Sequence, residues 1–265
     1  MRIRVPIVVG VACLMFIAAC SPTESLPTHT TEPPSPTSPP PPSTQVPEPS
    51  STPVPPTPAP SPTLFPPFRD DFNQLLEDGW RWEHESRFGW DLHRKPGFLR
   101  VEVELDTNQV LLRHAPEGDF EISTRVLFTP FSNFQSAGLI IFQDDGHYLS
   151  FHRGMCDYIE IVPEACQANA IYFNHIDHDV GVPEEGYSIG PQYPTRTIET
   201  SEAFLRLSRE GRTYTGDFSD DGVNWITIGK HDSDLFPFYV GIHTFGAVTY
   251  LANADFDYFT LEALP

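Results

Sequence analysis

The chain has 265 residues, 39% of them hydrophobic, with 36 acidic against 16 basic side chains and a formal net charge of −20. Such a field repels phosphate backbones and anionic lipid headgroups, so nucleic-acid binding is not expected, and neutral sugars or cations are the easier partners. Length and hydrophobic content alone allow one large all-β domain or two small ones, but 19 of the 29 prolines fall between Ser21 and Pro67, which partitions the chain into three unequal zones.

The first zone, residues 1–20, places Arg2 and Arg4 before an uncharged run from Val5 to Ala19. That is a signal-peptide pattern, and the run is too short for an ordinary membrane span. It closes with Ile17-Ala18-Ala19-Cys20, which resembles the lipobox of bacterial lipoproteins. The resemblance implies a lipidated Cys20 as the mature N-terminus and an extracytoplasmic chain held on a bacterial membrane; a plain secretory signal with an incidental cysteine is the other reading. Multiple acyl chains anchor stably where one does not. Residues 21–67 follow as a Pro/Ser/Thr tract whose charges are Glu24, Glu32 and Glu48. Such a tract cannot bury a core, and at ~3.1 Å per residue in polyproline geometry it is expected to act as a disordered tether reaching on the order of 100 Å.

The third zone, 68–265, carries 33 acidic and 14 basic residues, a formal charge of −19. Only "FNQLLEDGW" hints at a turn of helix, and from Phe98 onward period-two alternation dominates. In "FLRVEVEL" Leu99, Val101, Val103 and Leu105 share one face and Arg100, Glu102 and Glu104 the other. Phe120 to Phe128 alternates likewise, and "AGLIIF", "YLSF", "YIEIV", "FLRLS", "TYTGDFS", "NWITIG", "FYVGIHTF" and "DFDYFTL" follow, separated by "PEGD", "DDGH", "SREGR" and "SDDG". About ten to twelve short strands with such punctuation predict an antiparallel β-sandwich. Arg153 to Thr200 breaks the rhythm and reads as a long elaborated loop region over one edge or face.

The ordered set "FRDDFN", "GWRWEHE", "WDLHRKPGFLRV", "NQVLLRHAPEGDFEISTRV", "QSAGLIIFQDDGHYLSF", "SDDGVNWITIG" and "ADFDYFTLE" resembles the concanavalin A-like module at the C-terminus of family 43 glycoside hydrolases of the β-xylosidase type. The resemblance covers nearly all of 68–265 and implies a two-sheet jelly roll. In those xylosidases the catalytic carboxylates sit on a neighbouring propeller that has no counterpart in this sequence, so the resemblance does not carry their activity over.

Candidate site residues come from four places. Trp82 shares a strand face with Trp80, and Trp90 opens the next alternating piece; indoles at such positions are either core, each burying 150–250 Å², or a platform on which a sugar ring stacks. His147 and His152 flank "YLSF" and can reach a concave groove, with His152 the candidate ligand contact. Asp70 and Asp71 open the first strand while Asp255 and Asp257 lie in the last; if those strands pair, the acids, Asp71 and Asp257 above all, are either solvated or gathered around a structural Ca²⁺, which takes oxygen ligands at ~2.3–2.6 Å. Cys156 and Cys166, outside the cytoplasm, are expected to form a disulfide contributing ~2–3 kcal/mol, with metal binding the weaker alternative.

Catalytic signals are poor. Glu160 and Glu164 are four apart, but Val162 and Pro163 stand between them. "NHIDHD" gathers His175, Asp177, His178 and Asp179 and reads as a solvated loop before it reads as a metal site. "SDDGVNW" is a hairpin turn that returns Trp225 to the sheet. No catalytic residue is assigned. The expected protein is a membrane-anchored lipoprotein whose β-sandwich binds carbohydrate or another extracellular ligand without catalysis; the alternatives are a glycoside hydrolase and a structural or protein-interaction module of the envelope.

Overall fold

Along Leu99–Val103 and Phe120–Leu127 every second side chain is buried, as alternation requires of a sheet with one dry face. The structure, a computed structural model, describes residues 65–85, 89–103, 107–156, 169–177, 200–246 and 251–265. In chain order its strands are β1 (Phe68–Asp70), β2 (Arg81–Glu83), β3 (Trp90–Asp91), β4 (Leu99–Val103), β5 (Thr107–His114), β6 (Phe120–Leu127), β7 (Ser136–Asp144), β8 (His147–Gly154), β9 (Ala170–Asp177), β10 (Glu202–Glu210), β11 (Thr213–Ser219), β12 (Ile226–Asp232), β13 (Tyr239–Gly246) and β14 (Ala252–Ala263). No helix occurs among the described residues, so "FNQLLEDGW" is a bend and turn.

All pairings are antiparallel. An eight-stranded sheet runs β12-β11-β10-β6-β14-β4-β3 with β1 added against β14, and a six-stranded sheet runs β2-β5-β13-β7-β8-β9. First and last strands do pair, Asp70 opposite Phe259. The core lies between the sheets. Leu99, Val101, Phe120, Ile122, Leu205, Phe218, Phe256 and Phe259 from one side meet Leu111, Leu139, Ile141, Phe151, Phe173 and Ile242 from the other. Each such side chain contributes ~1.5–3 kcal/mol by leaving water.

Two irregularities fit the inward pattern to the sheets. In β14 the register shifts between Phe256 and Tyr258, so Asp257 is the extra residue and Phe256 and Phe259 both face inward despite being three apart. Thr124 Oγ1 donates to the Tyr258 carbonyl at 2.6 Å beside that bulge. A second shift follows Gly216 in β11.

The region 153–200 is not wholly loop. β9 lies inside it and forms the edge of the six-stranded sheet, paired with β8 from His147↔Asp177 to Gly154↔Ala170. Its sequence hid it because both faces are covered. Ile171 and Phe173 pack inward while Tyr172 and Ile176 are buried on the opposite face, so apolar residues run together instead of alternating.

Candidate functional site

The outer face of the six-stranded sheet carries a groove of about 340 Å³. Cross-strand register builds its floor in rows running from β5 through β13, β7 and β8 to β9. One row reads Asn108, Phe245, Ser136, Gly154, the next His243, Gly138, His152, Tyr172, and beyond it Ser150 stands opposite Asn174. Gly138 is what brings the two histidines together. A Cβ there would meet the Phe151 carbonyl oxygen and lie 2.5 Å from His152 Cα and 2.7 Å from His152 Cβ. With that position empty, the His152 and His243 rings meet edge to face at 5.2 Å, and His152 stacks on Tyr172 at 5.8 Å.

The floor is polar yet under-satisfied. His152 and His243 are buried, and His152 Nδ1, His243 Nε2 and Asn174 Oδ1 have no hydrogen-bond partner. Burial pushes His243 down to about 4, and burial reinforced by the neighbouring His243 holds His152 well below the usual imidazole range, so both rings are neutral at physiological pH. One rim is the loop 131–135. Gln135 Oε1 accepts from the backbone N–H groups of Phe131 and Ser132 at 3.0 and 3.2 Å, and the loop is tied to the end of β8 by Phe134 N–H to Met155 O at 2.8 Å and Met155 N–H to Gln135 O at 3.1 Å. None of the described residues lining the groove is Asp, Glu, Lys or Arg.

Of the sequence candidates, His152 is in this groove and the tryptophans are not. Trp82 pairs with Leu111 and Trp90 with Val101, both inward-facing positions of opposite sheets, and the two indoles meet at 5.5 Å where they pack against the core. Their pairing partners turn them toward the sandwich, where both pack half-buried against the core, and Trp90 also lines an open hollow with Leu75, Leu76 and His93. Trp90 Nε1 donates to Glu85 at 2.8 Å.

The terminal acids do not form a cation cage. Asp70 accepts from Phe72 N–H, Glu77 N–H and Trp80 Nε1 at 2.8, 2.9 and 2.8 Å, which fastens the loop after β1. Asp71 pairs with Arg69 at 2.6 Å, Asp255 with Arg100 at 2.6 Å and Lys95 at 3.1 Å, and Asp257 with Arg125 at 2.9 Å. Arginine and lysine already supply the positive charge a Ca²⁺ would bring, and no group of three or more His, Cys, Asp or Glu side chains converges among the described residues. Asp71 and Asp257 therefore do not fit the calcium expectation.

His147 contacts Asp144 at 2.6 Å at the β7–β8 turn. His175 faces Ser233 at 3.0 Å and the ring of His231 at 5.6 Å, where β9 lies against β12. Cys156 is disulfide-bonded; Cys166, its expected partner, lies outside the described residues, as do Cys20, Glu160, Glu164, His178 and Asp179. His243, Tyr172, Asn174 and Gly138 were not singled out in the sequence. The available signal was polar or small residues at the alternate positions of apolar strands, as in "VGIHTF".

The family model described as the β-xylosidase C-terminal concanavalin A-like domain matches residues 69–262. The chain belongs to this family. Solved structures similar to this concanavalin A-like domain include the family 43 glycoside hydrolase BlXynB from Bacillus licheniformis, at 18% identity and a TM-score of 0.59 over 74% of this chain and 39% of that one. A family 43 protein of a Bacteroides ovatus xyloglucan locus matches at 19% and 0.60 over 76% and 40%, and a xylan β-1,4-xylosidase from Bacillus halodurans at 17% and 0.57 over 73% and 38%. At these identities the likeness is one of fold, and this chain spans about two fifths of the length of each of those proteins. Comparison with curated proteins gave no match.

Proposed function

We propose that the β-sandwich binds carbohydrate without cleaving it, and that the chain is held on the outer side of a bacterial membrane through lipidated Cys20. The observation that carries this reading is the groove on the six-stranded sheet, where Tyr148, Tyr172 and Phe245 stand among Ser150, Asn174 and two histidines. Sugars present apolar ring faces and a hydroxyl rim, and a concave site mixing aromatic surface with a few oriented polar groups answers both. Retaining hydrolysis uses two carboxyl groups ~5–5.5 Å apart; the described lining of this groove supplies none. Membership of the family supports association with polysaccharide, since the solved relatives are titled as xylosidases and other family 43 hydrolases.

The test is to incubate the full chain with a panel of cell-wall and plant polysaccharides, following binding by calorimetry or pull-down and cleavage by reducing-end release. Binding with no new reducing ends is expected. Release of reducing ends would replace this reading with the hydrolase, and absence of binding to every polymer would leave the envelope-interaction module.

A further inference from the structure

Taking the groove as a sugar site, we propose that its ligand is an uncharged sugar, recognised at the floor by His152, His243 and Asn174 acting as neutral hydrogen-bonding groups. The arrangement turns on Gly138. It stands between His243 and His152 on three adjacent strands, and any side chain there would collide with the backbone of β8. The missing side chain leaves the two imidazoles sharing one space, one row from Asn174.

Three polar atoms of residues lining the groove lack partners: a nitrogen on each imidazole and the amide oxygen of Asn174. A neutral imidazole nitrogen either donates or accepts according to its tautomer, and an amide oxygen accepts. Hydroxyl groups, which do both, complement all three atoms whichever tautomers the rings adopt. Leaving a buried donor or acceptor unsatisfied costs ~1–3 kcal/mol, so a ligand that supplies hydroxyls gains what the free protein forgoes.

Charge decides against acidic sugars. A carboxylate or sulfate entering this groove would shed its water without meeting a cation among the described lining residues, and burying an unpaired charge is far more costly than burying a hydroxyl. The chain's net charge of −20 adds long-range repulsion. A groove of about 340 Å³ suits a short stretch of chain, a sugar ring with part of its neighbour. A site built from buried polar groups also discriminates strongly against analogues that lack the matching hydroxyl.

The experiment compares binding of the full chain to neutral polymers (unsubstituted xylan, arabinan and mixed-linkage glucan) with binding to polygalacturonate. It then repeats the neutral measurements with Asn174→Leu and His243→Phe, which keep the branched and the planar-ring shape respectively and remove the hydrogen-bonding atom. Thermal melting checks that each variant folds. The expected result is binding confined to neutral polymers, weakened roughly tenfold or more by either variant at a melting temperature no lower than that of the wild type. Polygalacturonate binding as tight as that of the neutral polymers, or a folded variant with wild-type affinity, would overturn the inference while leaving carbohydrate binding intact. Binding to no polymer at all would remove the underlying reading and this one with it. The wild-type comparison needs no variant, so a misfolded substitution cannot shield the proposal.

Discussion

Histidines are the residues whose chemistry depends most on where this fold puts them. His243 is held at about 4 and His152 well below its usual range by burial, and burial lowers His175 and His231 as well. A histidine with a folded-state value below its unfolded one, near 6.5, stabilises the fold fully above the unfolded value. That stability is lost as the pH falls through the folded value, because the unfolded chain binds more protons. The melting temperature is therefore expected to fall by several degrees between about pH 7 and pH 5, since 1 kcal/mol shifts it ~2–4 °C in a domain of this size. Calorimetry across that window checks it; a flat profile would mean that the imidazoles protonate in the folded state as freely as in water. The acids tell the opposite story. Asp255 and Asp257 invite a cation in the sequence, but Arg100 and Arg125 reach them from neighbouring strands.

At the scale of elements, the spacing of the two sheets is set by what stands at their inner faces. Gly216 on β11 lies against Phe151 and Phe173 of the opposite sheet, whose rings meet edge to face at 5.4 Å. A Cβ at Gly216 would sit 2.8 Å from Phe151 Cδ2 and 3.1 Å from Phe173 Cδ1. Gly216→Ala is expected to destabilise the domain by ~1–3 kcal/mol through overpacking, read as a lower denaturant midpoint at constant slope. An unchanged midpoint would show that the aromatic pair yields without strain. The same close approach keeps Phe151 and Phe173 on the inner face, while the next residues in each strand, His152 and Asn174, turn outward to the groove.

For the whole molecule the governing features are an acidic sandwich, a proline-rich tract and a candidate lipid anchor. Negative charge of this size repels anionic surfaces. If Cys20 carries the acyl chains, Cys20→Ser in the full-length protein moves it from the membrane to the soluble fraction of a bacterial host without altering polysaccharide binding. Persistence of the variant in the membrane fraction would mean that something other than the lipid holds it there.

Sequence by itself determined the sandwich and most of its strands, because a dry inner face and a wet outer face print a period of two, as in β4, β6 and β10. It failed at β9, where both faces are buried and the period disappears, and it drew attention to Trp82 and Trp90, whose strand partners turn them toward the core, away from the groove on the six-stranded sheet. His152 was legible as a residue beside a strand and within reach of a concave face. Its partnership with His243, 91 positions along the chain, was decided only when β7 came between β8 and β13 with Gly138 at the crossing point. Alternation is a property of neighbouring residues and survives in one dimension; a site assembled across strands depends on which distant segments pair and in what register, which the tertiary structure supplies.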